Sequence, residues 1–142
     1  MKVQKTVVVD RPLEAVFGYL SDFTTTTQWD PGTVSTERQA GDGGVGTTYH
    51  NTSEFVGRKT ELNYVVTELI PGQRISLRGE NKTVVSVDTM SFRRVEAGTE
   101  VTYAAEFTFK GAARFVAPLF RPALGKLGQQ AETGLRDALN QL

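Results

Sequence analysis

The sequence predicts an α+β fold in which one curved antiparallel sheet of about seven strands wraps round a long C-terminal helix. A short β-branched segment at the N-terminus is followed by two helical segments. The middle of the chain then alternates apolar and polar residues between turn signals, and the C-terminal segment carries apolar residues at helical spacing. The sheet and the helix each need an apolar partner, which one packed domain over residues 1–142 provides.

The N-terminal elements are assigned from local signals. Lys2 to Asp10 is rich in valine and predicts a strand. Asp10-Arg11-Pro12 predicts a helix start, with a polar cap and a proline in the first turn, and the helix is expected to stop near Ser21-Asp22. Phe23 to Trp29 predicts a second short helix, and Asp30-Pro31-Gly32 a turn.

A meander of antiparallel strands is predicted for the middle of the chain, because alternating segments are separated by glycine, proline and asparagine. The last strand has the clearest register, with Val101, Tyr103, Ala105, Phe107 and Phe109 on one face. The predicted strands lie near Val34–Gln39, Thr47–Val56, Thr60–Leu69, Arg74–Gly79, Thr83–Arg93 and Thr99–Phe109.

The C-terminal segment from Gly111 onward predicts helix, since apolar residues recur at three- and four-residue intervals. Pro118 and Pro122 each delete a backbone hydrogen bond in a helix interior. The sequence therefore predicts a break near Ala117–Pro118, with the main helix running from Leu119 or Pro122 onward.

Composition excludes several kinds of function. Sixteen Lys and Arg balance sixteen Asp and Glu, which argues against a nucleic-acid partner and a polybasic membrane-surface binder. The chain has no cysteine and one histidine, so thiolate and multi-histidine metal sites are excluded, and no cofactor is expected. No uncharged apolar run reaches the ~18 residues of a membrane span, and no signal peptide is recognisable. We therefore expect a soluble, cytoplasmic protein without integral membrane insertion.

The element order and several short motifs carry a resemblance. The motifs are Asp10-Arg11-Pro12-Leu13-Glu14-Ala15-Val16-Phe17, Leu20-Ser21-Asp22-Phe23, Trp29-Asp30-Pro31-Gly32, Gly43-Gly44-Val45-Gly46-Thr47, Glu68-Leu69-Ile70-Pro71-Gly72 and Gly98-Thr99-Glu100-Val101. With the leucine-rich last helix, the chain resembles the START-like helix-grip (SRPBCC) superfamily, nearest its small bacterial polyketide cyclase/dehydrase-like members. The resemblance implies a cavity for an apolar or amphipathic ligand between sheet and helix. It does not fix the function, because the same fold serves binders, carriers and enzymes.

Two sequence features are interpreted as structural. Gly41 to Gly46 matches the dinucleotide pattern G-x-G-x-x-G, but a strand-like run follows it where a phosphate site needs a helix N-terminus, so a glycine hairpin is predicted. His50 is the only side chain that titrates near neutrality. If Tyr49 points inward, alternation turns His50 outward, away from any interior chemistry.

The inward positions of the strands, with the short helices and the start of the C-terminal segment, form the candidate site. They are mainly aromatic and aliphatic with few polar groups, as in a ligand pocket. A fully packed core is the alternative, and a dimer contact is a second interpretation of the apolar start of the last helix, so a homodimer stays open. The predicted ligand-binding residues are Tyr19, Trp29, Tyr49, Asn51, Ser53, Tyr64, Leu77, Asp88, Met90, Tyr103, Ala105, Phe107, Phe115 and Leu119.

Asp88 and Tyr103 are the candidate catalytic residues. A carboxylate facing an apolar cavity would have a raised pKa and could exchange a proton. The alternative, which the rarity of buried unpaired aspartate favours, is a carboxylate near the cavity mouth that stays solvated or pairs with an arginine. No second inward carboxylate is evident in the sequence.

Binding of a small hydrophobic or aromatic metabolite, such as a lipid, polyketide or isoprenoid, is the leading functional hypothesis. The first alternative is a polyketide cyclase or dehydratase that moves protons with Asp88, Tyr103 and Asn51. The second is a protein-partner module that uses the outer sheet face or the apolar start of the last helix. Binding leads because no inward acid–base pair is evident.

Overall fold

The computed structural model describes residues 1–142 and contains one sheet of seven antiparallel strands. All seven predicted strands are present, and their ends differ from the predicted ones by at most two residues. In chain order the strands are β1 Lys2–Val9, β2 Thr33–Ala40, β3 Thr48–Phe55, β4 Arg58–Ile70, β5 Arg74–Glu80, β6 Val84–Val95 and β7 Gly98–Phe109.

The strand order across the sheet is β1-β7-β6-β5-β4-β3-β2. The N-terminal strand therefore pairs with the C-terminal one, and the chain must cross the concave face between β1 and β2. Consecutive strands from β2 to β7 pair in sequence, which confirms the predicted meander. The predicted inner face of β7 is also correct, because Val101 and Ala105 are buried while Glu106 and Thr108 are exposed.

Two short helices make the crossing from β1 to β2. Helix α1 spans Leu13–Leu20, and a 3₁₀ turn at Phe23–Thr25 leads into helix α2, Thr26–Trp29. Asp10 does not cap α1 as predicted, because Pro12 occupies the N-cap position, where its carbonyl accepts bonds from Ala15 and Val16. The missing side-chain cap is offset by packing, since Val16 and Leu20 are fully buried.

The C-terminal segment contains helix α3, Ala113–Val116, a 3₁₀ turn at Ala117–Phe120, and helix α4, Arg121–Leu139. The predicted break at Ala117–Pro118 is confirmed, and Pro122 lies in the first turn of α4, where a missing N–H costs no helical bond. No helix has both the length and the apolar character that a membrane span requires.

Glycines let α4 approach its neighbours closely. A Cβ on Gly134 would lie 2.0 Å from the Trp29 carbonyl oxygen, and one on Gly128 would lie 2.7 Å from Val3 Cγ1. Helix α4 therefore rests on α2 at its C-terminal half and on β1 nearer its start, with Leu135 and Leu139 buried beneath it.

Candidate functional site

The concave face of the sheet brings ten of the predicted site residues together. Seven of them are buried, and Ser53, Tyr103 and Phe107 are half-buried. They come from β3 to β7, and the two-residue period of each strand turns them to the same side. The seven buried residues are Tyr49, Asn51, Tyr64, Leu77, Asp88, Met90 and Ala105.

Asp88 lies in the middle of β6, a central strand, and is 5% exposed. Ser86 Oγ donates a hydrogen bond of 2.6 Å to Asp88 Oδ1, and the Tyr103 hydroxyl donates one of 3.1 Å to Oδ2. Burial raises the pKa of Asp88 to about 6, although these two donors act in the opposite direction. The favoured alternative of a solvated or arginine-paired aspartate is wrong, because this carboxylate is buried and is held by hydroxyl groups.

Asp30 is a second carboxylate directed into this region, which sequence reasoning treated only as part of a turn. Its Oδ1 accepts from Gly32 N and its Oδ2 from Thr33 Oγ1, both at 3.0 Å, so the predicted turn is present. Burial raises the pKa of Asp30 as well, and its charge further raises the pKa of Asp88. A turn motif gives no sign of which side of the sheet its carboxylate will face.

Tyr64 packs its ring on Gly79, its partner across the β4–β5 pair. A Cβ on Gly79 would lie 2.6 Å from two ring carbons of Tyr64, so only glycine leaves room for the ring at this place. Burial first, and the charge of Asp88 second, hold the pKa of the Tyr64 hydroxyl well above its usual value. Burial has the same effect on Tyr103, so both phenols remain proton donors beside the carboxylate.

Trp29, at the end of α2, covers this cluster. Its indole lies edge-on to the Tyr103 ring, with 5.5 Å between ring centroids, and the residue is 2% exposed. The indole Nε1 is the one buried side-chain nitrogen or oxygen without a hydrogen-bond partner. Leaving a donor unpaired in the interior costs about 1–3 kcal/mol, so this N–H requires a reason.

Asn51 belongs to a separate polar chain whose members satisfy one another. Asn51 Nδ2 donates to Thr36 Oγ1 at 2.8 Å, and Ser53 Oγ donates to Asn51 Oδ1 at 2.7 Å. Thr36 in turn shares a hydrogen bond of 2.7 Å with Thr26 of α2. These bonds tie α2 to β2 and β3, and none of them involves the hydroxyl groups that hold Asp88.

Three of the predicted site residues lie away from the interior cluster. Tyr19 donates its hydroxyl to Gln28 Oε1 at 2.7 Å and lines an open groove of about 570 Å³ beside the end of α4. Phe115 and Leu119 are 73% and 78% exposed, in α3 and the 3₁₀ turn after it. The apolar start of this segment was interpreted as a pocket wall or a dimer contact, and the exposure of both side chains shows that they do not line the interior.

His50 lies on the outer face of β3, as alternation predicted. Its Nδ1 lies 2.8 Å from Asn63 Oδ1 and its Nε2 lies 3.1 Å from Glu61 Oε1. These two acceptors raise the pKa of the imidazole. The segment Gly41–Gly46 forms the hairpin loop between β2 and β3, and Gly41, Gly43 and Gly46 have positive φ angles, so the structural interpretation of this motif is confirmed.

Replacing His50 by alanine is expected to leave both stability and interior ligand binding nearly unchanged. The side chain is half-exposed on the outer face of the sheet, and surface changes of this kind stay within about 0.5 kcal/mol. Denaturant melts near neutral pH and dye binding to the interior provide the measurements. A loss of affinity above roughly tenfold, or about 1.4 kcal/mol, would contradict the outward placement of this residue.

A family model described as polyketide cyclase/dehydrase and lipid transport matches residues 1–140. The chain belongs to this family. No curated protein matches the sequence.

Solved structures share the fold of this polyketide cyclase/dehydrase family member at low sequence identity. The Zhui aromatase/cyclase of a Streptomyces species superposes with a TM-score of 0.84 at 14% identity, covering 99% of this chain and 94% of that one. A Thermus thermophilus protein gives a TM-score of 0.80 at 16% identity, and the match covers 96% of this chain and 95% of that one. The di-domain aromatase/cyclase BexL gives a TM-score of 0.72 at 16% identity, and the match covers 96% of this chain and 49% of BexL. The helix-grip fold predicted from the sequence is thus confirmed.

Proposed function

We propose that this family member binds a small hydrophobic or aromatic metabolite between the concave face of the sheet and α4. The unpaired, buried indole N–H of Trp29 carries the proposal, because a ligand with an acceptor oxygen would supply its missing hydrogen bond. An apolar wall with a few fixed polar groups is the usual composition of a small-molecule site. Lipids, polyketides and isoprenoids with a carbonyl or hydroxyl group meet both requirements.

The partial exposure of inward-facing residues supports an interior space. Tyr103 keeps accessible surface although burial raises the pKa of its hydroxyl well above its usual value. Further along the same face, Phe107 and Phe109 are also half-buried, as are Ser53 and Phe55 on β3. Because α4 packs mainly on β1 and α2, the side chains at the middle of the sheet are not all covered by it.

A polyketide cyclase or dehydratase activity is the second candidate, and the pKa of Asp88 near 6 favours it. A general acid–base group works best when its pKa lies near the working pH. In a dehydration, a proton reaches the leaving hydroxyl, which departs as water, while the neighbouring carbon loses a proton. Asp88 would make this exchange, with the Tyr103 hydroxyl holding the carboxylate and the substrate oxygen in place.

Ala105 provides a direct test of the binding site. It is 2% exposed and pairs with Asp88 across β6 and β7. We expect Ala105→Phe to abolish binding of a hydrophobic fluorescent dye to the folded protein, since the ring would occupy the ligand space. Ala104→Phe adds the same ring to the outer face of the same strand and should retain dye binding. A dye that also raises the melting temperature of the wild type would bind the folded state.

A solidly packed interior would give the opposite outcome in this experiment. Overpacking a tight core costs typically 1–3 kcal/mol, so a solid interior would make Ala105→Phe unstable. If that variant unfolds and the wild type ignores every apolar probe, both the binding and the enzyme proposals are wrong. The dye measurement should be repeated with Phe115→Ser/Leu119→Ser, which removes the exposed apolar residues as an alternative dye site.

Native mass spectrometry separates the binder from the dehydratase. Wild type and Asp88→Asn are each purified from the protein's own host, and the masses of retained small molecules are compared. A dehydratase predicts that the variant retains a species heavier than the wild-type one by one water. The same mass in both proteins would contradict the enzyme proposal and leave the binding proposal in place.

A further inference from the structure

The start of the C-terminal segment presents the largest group of exposed apolar side chains in the molecule. Phe115 is 73% exposed, Leu119 is 78% exposed and Val116 between them is 45% exposed. The T-shaped contact of Phe55 with Phe120, 5.8 Å between centroids, brings the β3–β4 turn beside them. That turn adds Val56, which is 59% exposed. We call these four residues, Val56, Phe115, Val116 and Leu119, the apolar tip.

Contiguous exposed apolar residues mark contact sites, whereas single ones are ordinary. None of the four tip residues contributes to the core of 19 buried residues, so core packing does not explain them. The tip is formed by a short helix, a 3₁₀ turn and a hairpin turn, and its side chains protrude. This shape differs from the groove that would receive a partner helix or strand.

The net charge of zero hides an uneven distribution. Residues 107–131 contain Lys110, Arg114, Arg121 and Lys126 and no Asp or Glu, so all sixteen acidic residues lie elsewhere. Lys110 pairs with Glu80, but Arg114, Arg121 and Lys126 take part in no ion pair. The Arg114 guanidinium lies over the Phe115 ring, 4.8 Å from its centroid, so cation and apolar surface are adjacent.

Further cations surround this region. Lys2, Lys5 and the N-terminal residue share an open groove of about 490 Å³ with Arg121. Arg58 and Lys59 follow directly after the β3–β4 turn, where the facing acidic group is Glu54, paired with Lys59 across the strands. Glu106 is the partner of Lys2 across β1 and β7 in the same way. The cations named here outnumber these two carboxylates, so the surface around the tip is basic.

We propose that the apolar tip docks this protein onto an anionic lipid surface. Protruding aromatic and aliphatic side chains enter the acyl boundary of a bilayer, while adjacent Lys and Arg contact anionic headgroups. An acidic protein would satisfy the cations, but it would leave protruding Phe115 and Leu119 without a matching concave apolar surface. This docking does not depend on the interior ligand, although the Phe55–Phe120 contact places the tip at one end of the concave face.

Co-sedimentation with vesicles tests the proposal without any ligand. Wild type should bind vesicles of phosphatidylcholine with one-third phosphatidylglycerol, bind pure phosphatidylcholine far more weakly, and lose affinity in high salt. Each juxtamembrane cation contributes about fivefold, so Arg114→Gln/Arg121→Gln should lower affinity roughly 30-fold. Phe115→Ser/Leu119→Ser should lower it by about tenfold or more at low salt, since it removes the inserted apolar groups.

Matched controls carry the same chemical changes at other places. Val45→Ser removes an exposed valine from the β2–β3 loop, and Arg38→Gln removes an exposed arginine from β2. Both should bind anionic vesicles as the wild type does. All the altered side chains are exposed, so cooperative melting should be kept, and a melt of each variant verifies this.

Three results would overturn the proposal. The first is that the wild type does not bind anionic vesicles, or that the tip variants bind these vesicles as well as the wild type does. The second is a protein that does not bind vesicles but binds polyglutamate in a salt-sensitive way, with no effect of Phe115→Ser/Leu119→Ser. This result would identify an acidic protein partner. The third is a dimer in sedimentation velocity that the same serine variant dissociates, again without vesicle binding, which would make the tip a self-association surface.

Discussion

Gly134→Ala is expected to destabilise the protein by about 3 kcal/mol or more, even though alanine favours helix over glycine. The added Cβ would lie 2.0 Å from the carbonyl oxygen of Trp29 and 3.0 Å from its carbonyl carbon. Both atoms belong to backbone, which cannot rotate away as a flexible side chain would. Helix α4 or the end of α2 must therefore move, and Trp29 would lose its close fit against Tyr103.

Gly125→Ala supplies the matched control for this prediction. Gly125 lies in the same helix, and no atom comes within 4 Å of the position of its Cβ. Alanine should therefore stabilise the protein there by up to about 1 kcal/mol through helix propensity alone. Denaturant melts measure both variants, and the emission of the single tryptophan reports the displacement of Trp29. Equal stability of the two variants would show that α4 does not rest on Trp29 as described.

The inward and outward faces of the strands could be predicted from the sequence because side chains alternate between them with a period of two residues. Once Tyr103 and Ala105 were placed inward on β7, the same alternation on β6 placed Asp88 beside them, and the structure pairs Asp88 with Ala105. The outward position of His50 followed in the same way. These positions depend only on parity, and a strand error of one residue at either end does not alter parity within the strand.

The environment of each site residue was less accessible, since it depends on elements distant in sequence. Alternation does not say which side chains surround the β6 carboxylate, so the solvated alternative was favoured for Asp88. Asp30 belongs to a turn, which has no periodicity, and the approach of Gly134 to Trp29 joins residues that the sequence separates widely. Phe115 and Leu119 are spaced as on one face of a helix, but spacing does not say which side of the segment meets the sheet, and both are exposed.

The stability of Asp88→Asn, measured relative to the wild type, is expected to increase from acid pH to neutral and alkaline pH. Burial raises the folded-state pKa of Asp88 from 3.8 to about 6. A carboxyl with a raised pKa contributes stability that is fully present below its unfolded pKa and is lost as pH rises through its folded pKa. Two pKa units correspond to about 3 kcal/mol, of which roughly 2 falls between pH 4 and pH 8. Asparagine does not ionise, so the variant escapes this loss.

The measurement is the difference in unfolding free energy between variant and wild type at a series of pH values. This difference should grow by roughly 2 kcal/mol from pH 4 to pH 8, with its midpoint below pH 6. Asp30, whose pKa is also raised by burial, is present in both proteins, and because its charge raises the pKa of Asp88 the difference reports the two coupled carboxyls together. Asp137→Asn makes the same replacement at an exposed position in α4 and serves as the matched control. A pH-independent difference for Asp88→Asn would show that this carboxyl is solvated in the folded protein.

Tyr103→Phe should increase the stability that the protein loses between acid and alkaline pH, whereas Asp88→Asn reduces this loss. The variant therefore tests the hydrogen bond to Asp88 as well as the burial of the carboxyl. The Tyr103 hydroxyl donates to Asp88 Oδ2 and stabilises the ionised carboxylate. Without this donor, the pKa of Asp88 rises further, so the stability lost between acid and alkaline pH becomes larger than in the wild type. Tyr103→Phe in the Asp88→Asn background should then add no further pH dependence below the range where tyrosines titrate. That double-variant result would separate a direct effect on Asp88 from a general loosening of the interior, which would lower stability equally at every pH.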